Sequence, residues 1–271
     1  MSEYPCLLWF AHCCTPCSKI FVLKKATKCP HCLTSLSAET FHDVPFPFFR
    51  PVLNDPNYVP SLQVLVKPTI GNFLTNYRPG QDLHIGMCYD DSTVISYDQR
   101  GVHVDAVVCC HNDNYAWANS ILAARWPLTI KKDDVGVLLE LKKSEPKWQL
   151  KKYHIENWNC FDFVLNVVNE FFRRGYVKDD FAMSGGPEHR EDKLDCFGNK
   201  ESFVDFFVAS KLRRAVGYSL TYQEVVKNGF KNIQEILADK GEIVKTSNSA
   251  DSNTIEFVEP NEDNEKKALS D

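Results

Sequence analysis

Positive charge is in short supply in this chain. Lys and Arg number 31 against 36 Asp and Glu, for a net charge of -5. That balance argues against nucleic acid or an anionic membrane as the main partner, because phosphate recognition needs clustered basic side chains. Long apolar runs are missing too, so no stretch is expected to span a bilayer. The N-terminus, Met1-Ser2-Glu3-Tyr4-Pro5, lacks a basic segment followed by an apolar one, and no secretory signal is expected. No internal repeat is visible. The composition over most of the 271 residues also lacks the signature of disorder: 44% hydrophobic and 25% charged residues, with 18 Phe, imply a real interior. These absences lead to the expectation of a cytosolic or nuclear protein.

Cysteine, in contrast, is plentiful. Eleven cysteines without an export signal read as reduced thiols, metal ligands or a nucleophile rather than a disulfide framework. Six of them fall before residue 42. The expected organisation is a zinc knuckle over 1–42, a Pro- and aromatic-rich connector over 43–60, an α+β domain over 61–241, and a disordered acidic tail over 242–271. Within the α+β domain, alternation and branched residues predict a strand over 61–66 and a hairpin of 83–89 and 93–97 turning at Asp90-Asp91-Ser92. Further strands are expected over 102–110 and 136–141, and helices over 115–125, 201–218 and 222–238. Phe161, Val164, Leu165, Val168, Phe171 and Phe172 follow helical spacing, with Gly175 as the stop.

The cysteine-rich head holds two CxxC pairs, Cys14-Thr15-Pro16-Cys17 and Cys29-Pro30-His31-Cys32. Each tight turn aims two thiolates at one tetrahedral zinc, so Cys14, Cys17, Cys29 and Cys32 are the expected ligands of a single structural ion. His12, Cys13 and His31 are substitute ligands. The alternative is a set of ordinary reduced cysteines. A segment this short lacks enough apolar surface to fold alone, so the metal is expected to supply folding energy.

A different thiol stands in Trp158-Asn159-Cys160-Phe161-Asp162-Phe163. Asn159 is a good N-cap with Asp162 three residues on, which puts Cys160 at the first helical position. There the helix dipole favours a thiolate, while Asp162 opposes it. His84, in a strand, is the candidate base. Counting back from the hairpin turn sets it opposite Tyr97 or Asp98, either of which is able to orient the imidazole. Against this stand two bland readings: a helix cysteine is usually a small core hydrophobe, and a strand histidine is usually structural.

Several blocks carry a resemblance. Lys67-Pro68-Thr69-Ile70-Gly71-Asn72-Phe73-Leu74, Asp82-Leu83-His84-Ile85-Gly86, Arg100-Gly101-Val102, Asn159-Cys160 and Ala209-Ser210-Lys211 are similar to the makorin-2 opposite-strand protein family over most of residues 10–220. The order of histidine then Asn-Cys resembles circularly permuted papain-like folds, such as the PPPDE isopeptidases and lecithin retinol acyltransferase-like enzymes. That resemblance implies an antiparallel sheet packed on helices, with His84 as base and Cys160 as nucleophile. Tyr97 stands where the acyltransferases carry a second histidine, which argues against their chemistry.

Two functions are therefore expected, and one minor one. The first is a thiol hydrolase acting on a peptide or isopeptide bond, with a protein or ubiquitin-like partner. The second is a non-catalytic binding or scaffold protein on the same fold. The minor reading is nucleic-acid binding through Lys24, Lys25 and Lys28, which more commonly form a solvated face.

Overall fold

The computed structural model describes residues 6–12, 18–37, 40–50, 59–90, 92–107, 117, 119–149, 152–154, 156, 158–178, 199–237 and 243–247. In chain order the elements are β1 (Leu8–Ala11), β2 (Ser18–Val22), β3 (His42–Asp43), β4 (Ser61–Pro68), β5 (Leu83–Cys88), β6 (Thr93–Asp98), β7 (Gly101–Ala106), β8 (Ile121–Pro127), α1 (Lys132–Ser144), α2 (Cys160–Arg173), α3 (Lys200–Phe203), a π-helical stretch (Val204–Ala209), α4 (Ser210–Asn228), β9 (Lys231–Leu237) and β10 (Ile243–Ser247). The fold class is α+β with antiparallel sheets. Two compact units divide the chain: Met1–Phe46 together with Thr221–Asp271, and Pro47–Leu220.

The first unit is built on a five-stranded sheet of order β10-β9-β2-β1-β3. Its strand β2 alternates, burying Ser18, Ile20 and Val22 as period-two geometry requires. Among the described residues Phe10, Ile20, Val22 and Cys29 form a core cluster, with Leu8, Cys32, Leu36, Phe41 and Phe230 packed around it. A small loop carries the second CxxC: Lys28 bridges to Ser35, Cys29 N–H donates to Thr34 O at 2.8 Å, and Leu36 N–H donates to Thr27 O at 2.9 Å. Residues 222–238 do not form the single helix expected of them. The helix α4 stops at Asn228, Gly229 takes φ +82°, and 231–237 pair with β2, Ser18 facing Gln234 and Phe21 facing Lys231. The glycine breaks the helix, and a strand partner is available. Strand β10 lies inside the span expected to be tail, and residues 248–271 fall outside the described residues.

The second unit holds the sheet β7-β6-β5-β4-β8. Its central strand β4 is buried at every position except Lys67, because it is covered on both faces. The expected hairpin of β5 and β6 is present: Asp90 Oδ1 accepts from Ser92 N–H, Thr93 N–H and the Thr93 hydroxyl at 2.8–3.0 Å, fixing a register in which Gly86 faces Ser96 and Cys88 faces Val94. One face of the sheet carries Leu65, Cys88, Val94, Val107 and Trp117. On this face Gly86 has to be glycine, since a Cβ there would sit 2.6 Å from Val94 Cγ1 and 2.7 Å from Trp117 Cη2. On the other, the Tyr97 ring meets Phe163 of α2 at 5.9 Å and Trp148 at 5.4 Å.

Two expectations fail in this unit. Residues 121–127 are strand β8 rather than helix, paired along β4 from Ser61–Pro127 to Val66–Ile121 with a bulge; the alanines Ala123 and Ala124 suggest helix, but burial against β4 decides otherwise. Residues 136–141 lie inside helix α1, not a strand. Val135 and Leu139 are buried one helical turn apart, with Asp133 and Asp134 in the first turn and Lys142 and Lys143 in the last, the charge order the helix dipole favours. No helix among the described residues is long and apolar enough to cross a membrane.

Candidate functional sites

Helix α2 begins as its sequence requires. Asn159 Oδ1 accepts from Phe161 N–H at 2.9 Å and Asp162 N–H at 3.3 Å, and Asp162 accepts from Asn159 N–H at 3.0 Å, closing a capping box. The helix buries Cys160, Phe163, Val164, Val167, Val168 and Phe171, a face turned away from Phe161 and Leu165. Gly175, at φ +70°, ends it through its N–H to Phe172 O at 3.0 Å. Lys200 Nζ lies 3.3 Å from Asp162 Oδ2 and pairs with the carboxylate of the capping box.

Cys160 is 3% exposed. Burial is the largest influence on its thiol and pushes the pKa up; hydrogen bonds from the backbone N–H groups of Ile85, Phe161 and Cys160 itself, and from the Tyr153 hydroxyl, pull the other way. These donors favour the charged form of the sulfur, but burial outweighs them and keeps the resting thiol protonated. Tyr153 is pushed up to about 12, by burial first and then by the charge of Cys160, so it remains a donor. No signal in the sequence marks Tyr153, which stands in an irregular segment between two aromatic-rich elements.

One of those donors comes from β5. The ladder between β5 and β6 ends at Gly86–Ser96, and just beyond it Ile85, the neighbour of His84, donates to the sulfur. Continuing the same register places His84 across from Asp98, and Asp98 is among the charges acting on His84. Tyr97 points to the opposite face, where its hydroxyl donates to Gln149 O at 3.3 Å. Of the two residues considered as orienters, Asp98 therefore shares the face of His84. The imidazole itself makes no hydrogen bond among the described residues, including none to Cys160. Its ring lies 5.6 Å from the Trp117 ring.

Around His84 the sheet face is charged. Lys67 pairs with it across β4 and sets its ammonium 5.4 Å from the Trp117 ring centre. Asp98 accepts from Arg100 through its backbone N–H at 2.7 Å and Nη2 at 2.8 Å, with His103 Nδ1 at 3.6 Å. Burial works against the Asp98 carboxylate, but Arg100 and His103 hold its pKa below the ordinary value. His103 Nε2 is 3.3 Å from Asp105, which accepts from Trp117 Nε1 at 3.2 Å. Burial, followed by the charge of Lys67, lowers His84 to about 4 despite the nearby Asp98 and Asp105. At neutral pH the thiol and the imidazole are both uncharged.

The first unit holds a second grouping. The ligand atoms of His12, Cys29 and Cys32 all lie within 4.8 Å of one another, with His12 and Cys29 buried. Cys14 and Cys17, the other two expected zinc ligands, lie outside the described residues. His12, only a substitute in the sequence reading, is the residue that joins the second CxxC.

An antiparallel α+β protein with a thiol cradled at a helix start and a histidine in the adjoining strand is the class these features define. The DUF4796 C-terminal family matches residues 43–225, more than half of the chain, and the chain belongs to this family. It is similar to the MKRN2 opposite strand protein of Homo sapiens, with 24% identity over 208 residues that cover 74% of this chain and 79% of the human protein. The family match begins after His12, Cys29 and Cys32.

Proposed function

We propose that the chain is a cysteine hydrolase of permuted papain-like layout, with Cys160 as nucleophile and His84 as base. The observation that carries this reading is the set of donors on the Cys160 sulfur, one of them supplied by the residue next to His84. Two of these donors, the Phe161 and Cys160 N–H groups, belong to the helix start itself, whereas the Ile85 N–H and the Tyr153 hydroxyl are brought in by the fold. In the reaction, Sγ forms a bond to the substrate carbonyl carbon as the thiol proton passes to His84. The N–H groups of Cys160 and Ile85 are the donors at hand for the oxyanion. The carbon–nitrogen bond then breaks, His84 returns the proton to the leaving amine, and a thioester remains. Water attacks it, giving up one proton through His84 to the sulfur and releasing a carboxylic acid. Asp98 holds His84 through charge across the strand. The substrate class is an amide or isopeptide, carried by a protein or ubiquitin-like partner, on analogy with the layout alone.

Iodoacetamide labelling of the full chain, mapped by peptide mass spectrometry, tests this directly. Cys160 should alkylate well ahead of Cys88, which is equally removed from solvent, and His84→Ala should slow the reaction by about 100-fold with an unchanged far-UV spectrum. Labelling of Cys160 no faster than Cys88, and indifferent to His84→Ala, would reject the hydrolase. That outcome would favour the second reading, a non-catalytic scaffold, for which the 3% exposure of Cys160 and the missing bond to His84 already speak.

A further inference from the structure

We infer that the first unit holds a zinc site in which His12 is a ligand together with Cys29 and Cys32. The donor atoms are the first argument. Two sulfurs and an imidazole nitrogen within 4.8 Å of one another form the mixed N/S set that zinc prefers. Bond lengths of about 2.0–2.3 Å set tetrahedral ligand atoms about 3.5–3.8 Å apart, so a contraction of roughly 1 Å encloses the ion.

The backbone supplies a second argument. The Cys29–Cys32 turn is closed by Leu33 N–H to Cys29 O at 2.9 Å, which holds Leu33 at φ 63°. A left-handed leucine costs about 1–2 kcal/mol, and Leu33 gains no burial in return, being 70% exposed. What the turn achieves is to aim both sulfurs at one point. Strain of this kind persists where surrounding structure fixes it, and it clusters at ligand clamps.

The third argument is how the ligands are mounted. His12 directly follows β1 and its N–H donates to Ser18 O at 2.7 Å, so the β1–β2 hairpin fixes its position. Its ring packs edge-on against His31 at 4.8 Å. Thr34 Oγ1 sits 3.3 Å from Cys32 Sγ; the thiol is the donor there, and once deprotonated on the metal it becomes the acceptor of the Thr34 hydroxyl, an outer-sphere contact that orients a ligand. Binding displaces the thiol protons to solvent.

Zinc content and X-ray absorption of the full chain decide the matter. One zinc per chain is expected, with one nitrogen at about 2.0 Å and the sulfurs at about 2.3 Å. His12→Asn should remove the nitrogen shell and weaken zinc by more than the 10–100-fold that loss of an outer-sphere partner costs, while His31→Asn should leave the shell intact. An all-sulfur shell, a nitrogen lost with His31→Asn instead, or a chain that takes up no zinc would each overturn the assignment. If the His12 variant fails to fold, the wild-type spectrum together with that of His31→Asn decides the assignment.

Discussion

The two units solve the same problem, a stable antiparallel sheet, by different means. In the second, β4 is covered on both faces, and aromatic rings interlock around it: Tyr97 with Trp148 and Phe163, and Trp126 with Phe172 and Phe207. In the first, one core cluster among the described residues is Phe10, Ile20, Val22 and Cys29, so a thiol-bearing side chain stands inside it. One sheet is framed by aromatic rings, while the other packs against a cysteine that belongs to a Cys/His grouping. The difference teaches where each proposed chemistry would reside: the thiol of Cys160 in a rigid aromatic frame, and a metal beside the Cys29 cluster.

The largest effect that sharpens this contrast is chelation. With apparent zinc energies of about 10–16 kcal/mol in small metal-folded domains, a strong chelator should abolish hydrogen-exchange protection in β1 and β2 while that of β4 and β5 persists. Equal loss in both units would break the contrast. Next in size, Phe163→Ala, in the fully buried face of α2, should cost about 3–5 kcal/mol in urea unfolding of the second unit and leave zinc content unchanged.

Acid offers a third measurement. An unfolded imidazole takes up its proton near pH 6.5, whereas folded His84 resists until about 4. Between those values the unfolded chain binds more protons, so stability is complete above pH 6.5 and is lost progressively as pH falls towards 4. The difference amounts to about 3 kcal/mol. His84→Gln should flatten that slope, with Lys67, Asp98, Arg100, His103 and Asp105 left in place around it. A slope unchanged by the substitution would assign the acid sensitivity to another group. The smallest effect is Leu33→Gly, expected to raise stability of the first unit by about 1 kcal/mol in chelator-free thermal melts.

Legibility in the sequence followed the range of the forces involved. The start of α2, its stop at Gly175 and the β5–β6 turn are local events, written in Asn159, Asp162, Gly175 and Asp90, and they are readable residue by residue. Strand β8 and helix α1 are not, because Ala123 and Ala124 become strand only through β4, and the helical pair Val135 and Leu139 hides in a run that also alternates. Strand β9 depends on β2, some 200 residues distant. At the thiol, Cys160 and His84 stand out by residue type and local context. Tyr153 and the Ile85 N–H do not, since a backbone donor has no residue type and Tyr153 meets the sulfur only in the fold. The choice between Tyr97 and Asp98 rests on one residue of register, which the ladder supplies and turn counting leaves open.

The pairing of β2 with β9 also sets a timetable. Val22 leaves the ribosome roughly 200 residues ahead of Lys231, a delay of about 10–40 s at ordinary elongation rates. Throughout that interval the nascent chain displays β2 with an unpaired edge, a template for other strands, while everything from Pro47 to Leu220 is synthesised. The strand β2 is thus made long before β9, and its sheet is completed only after everything between them has been synthesised.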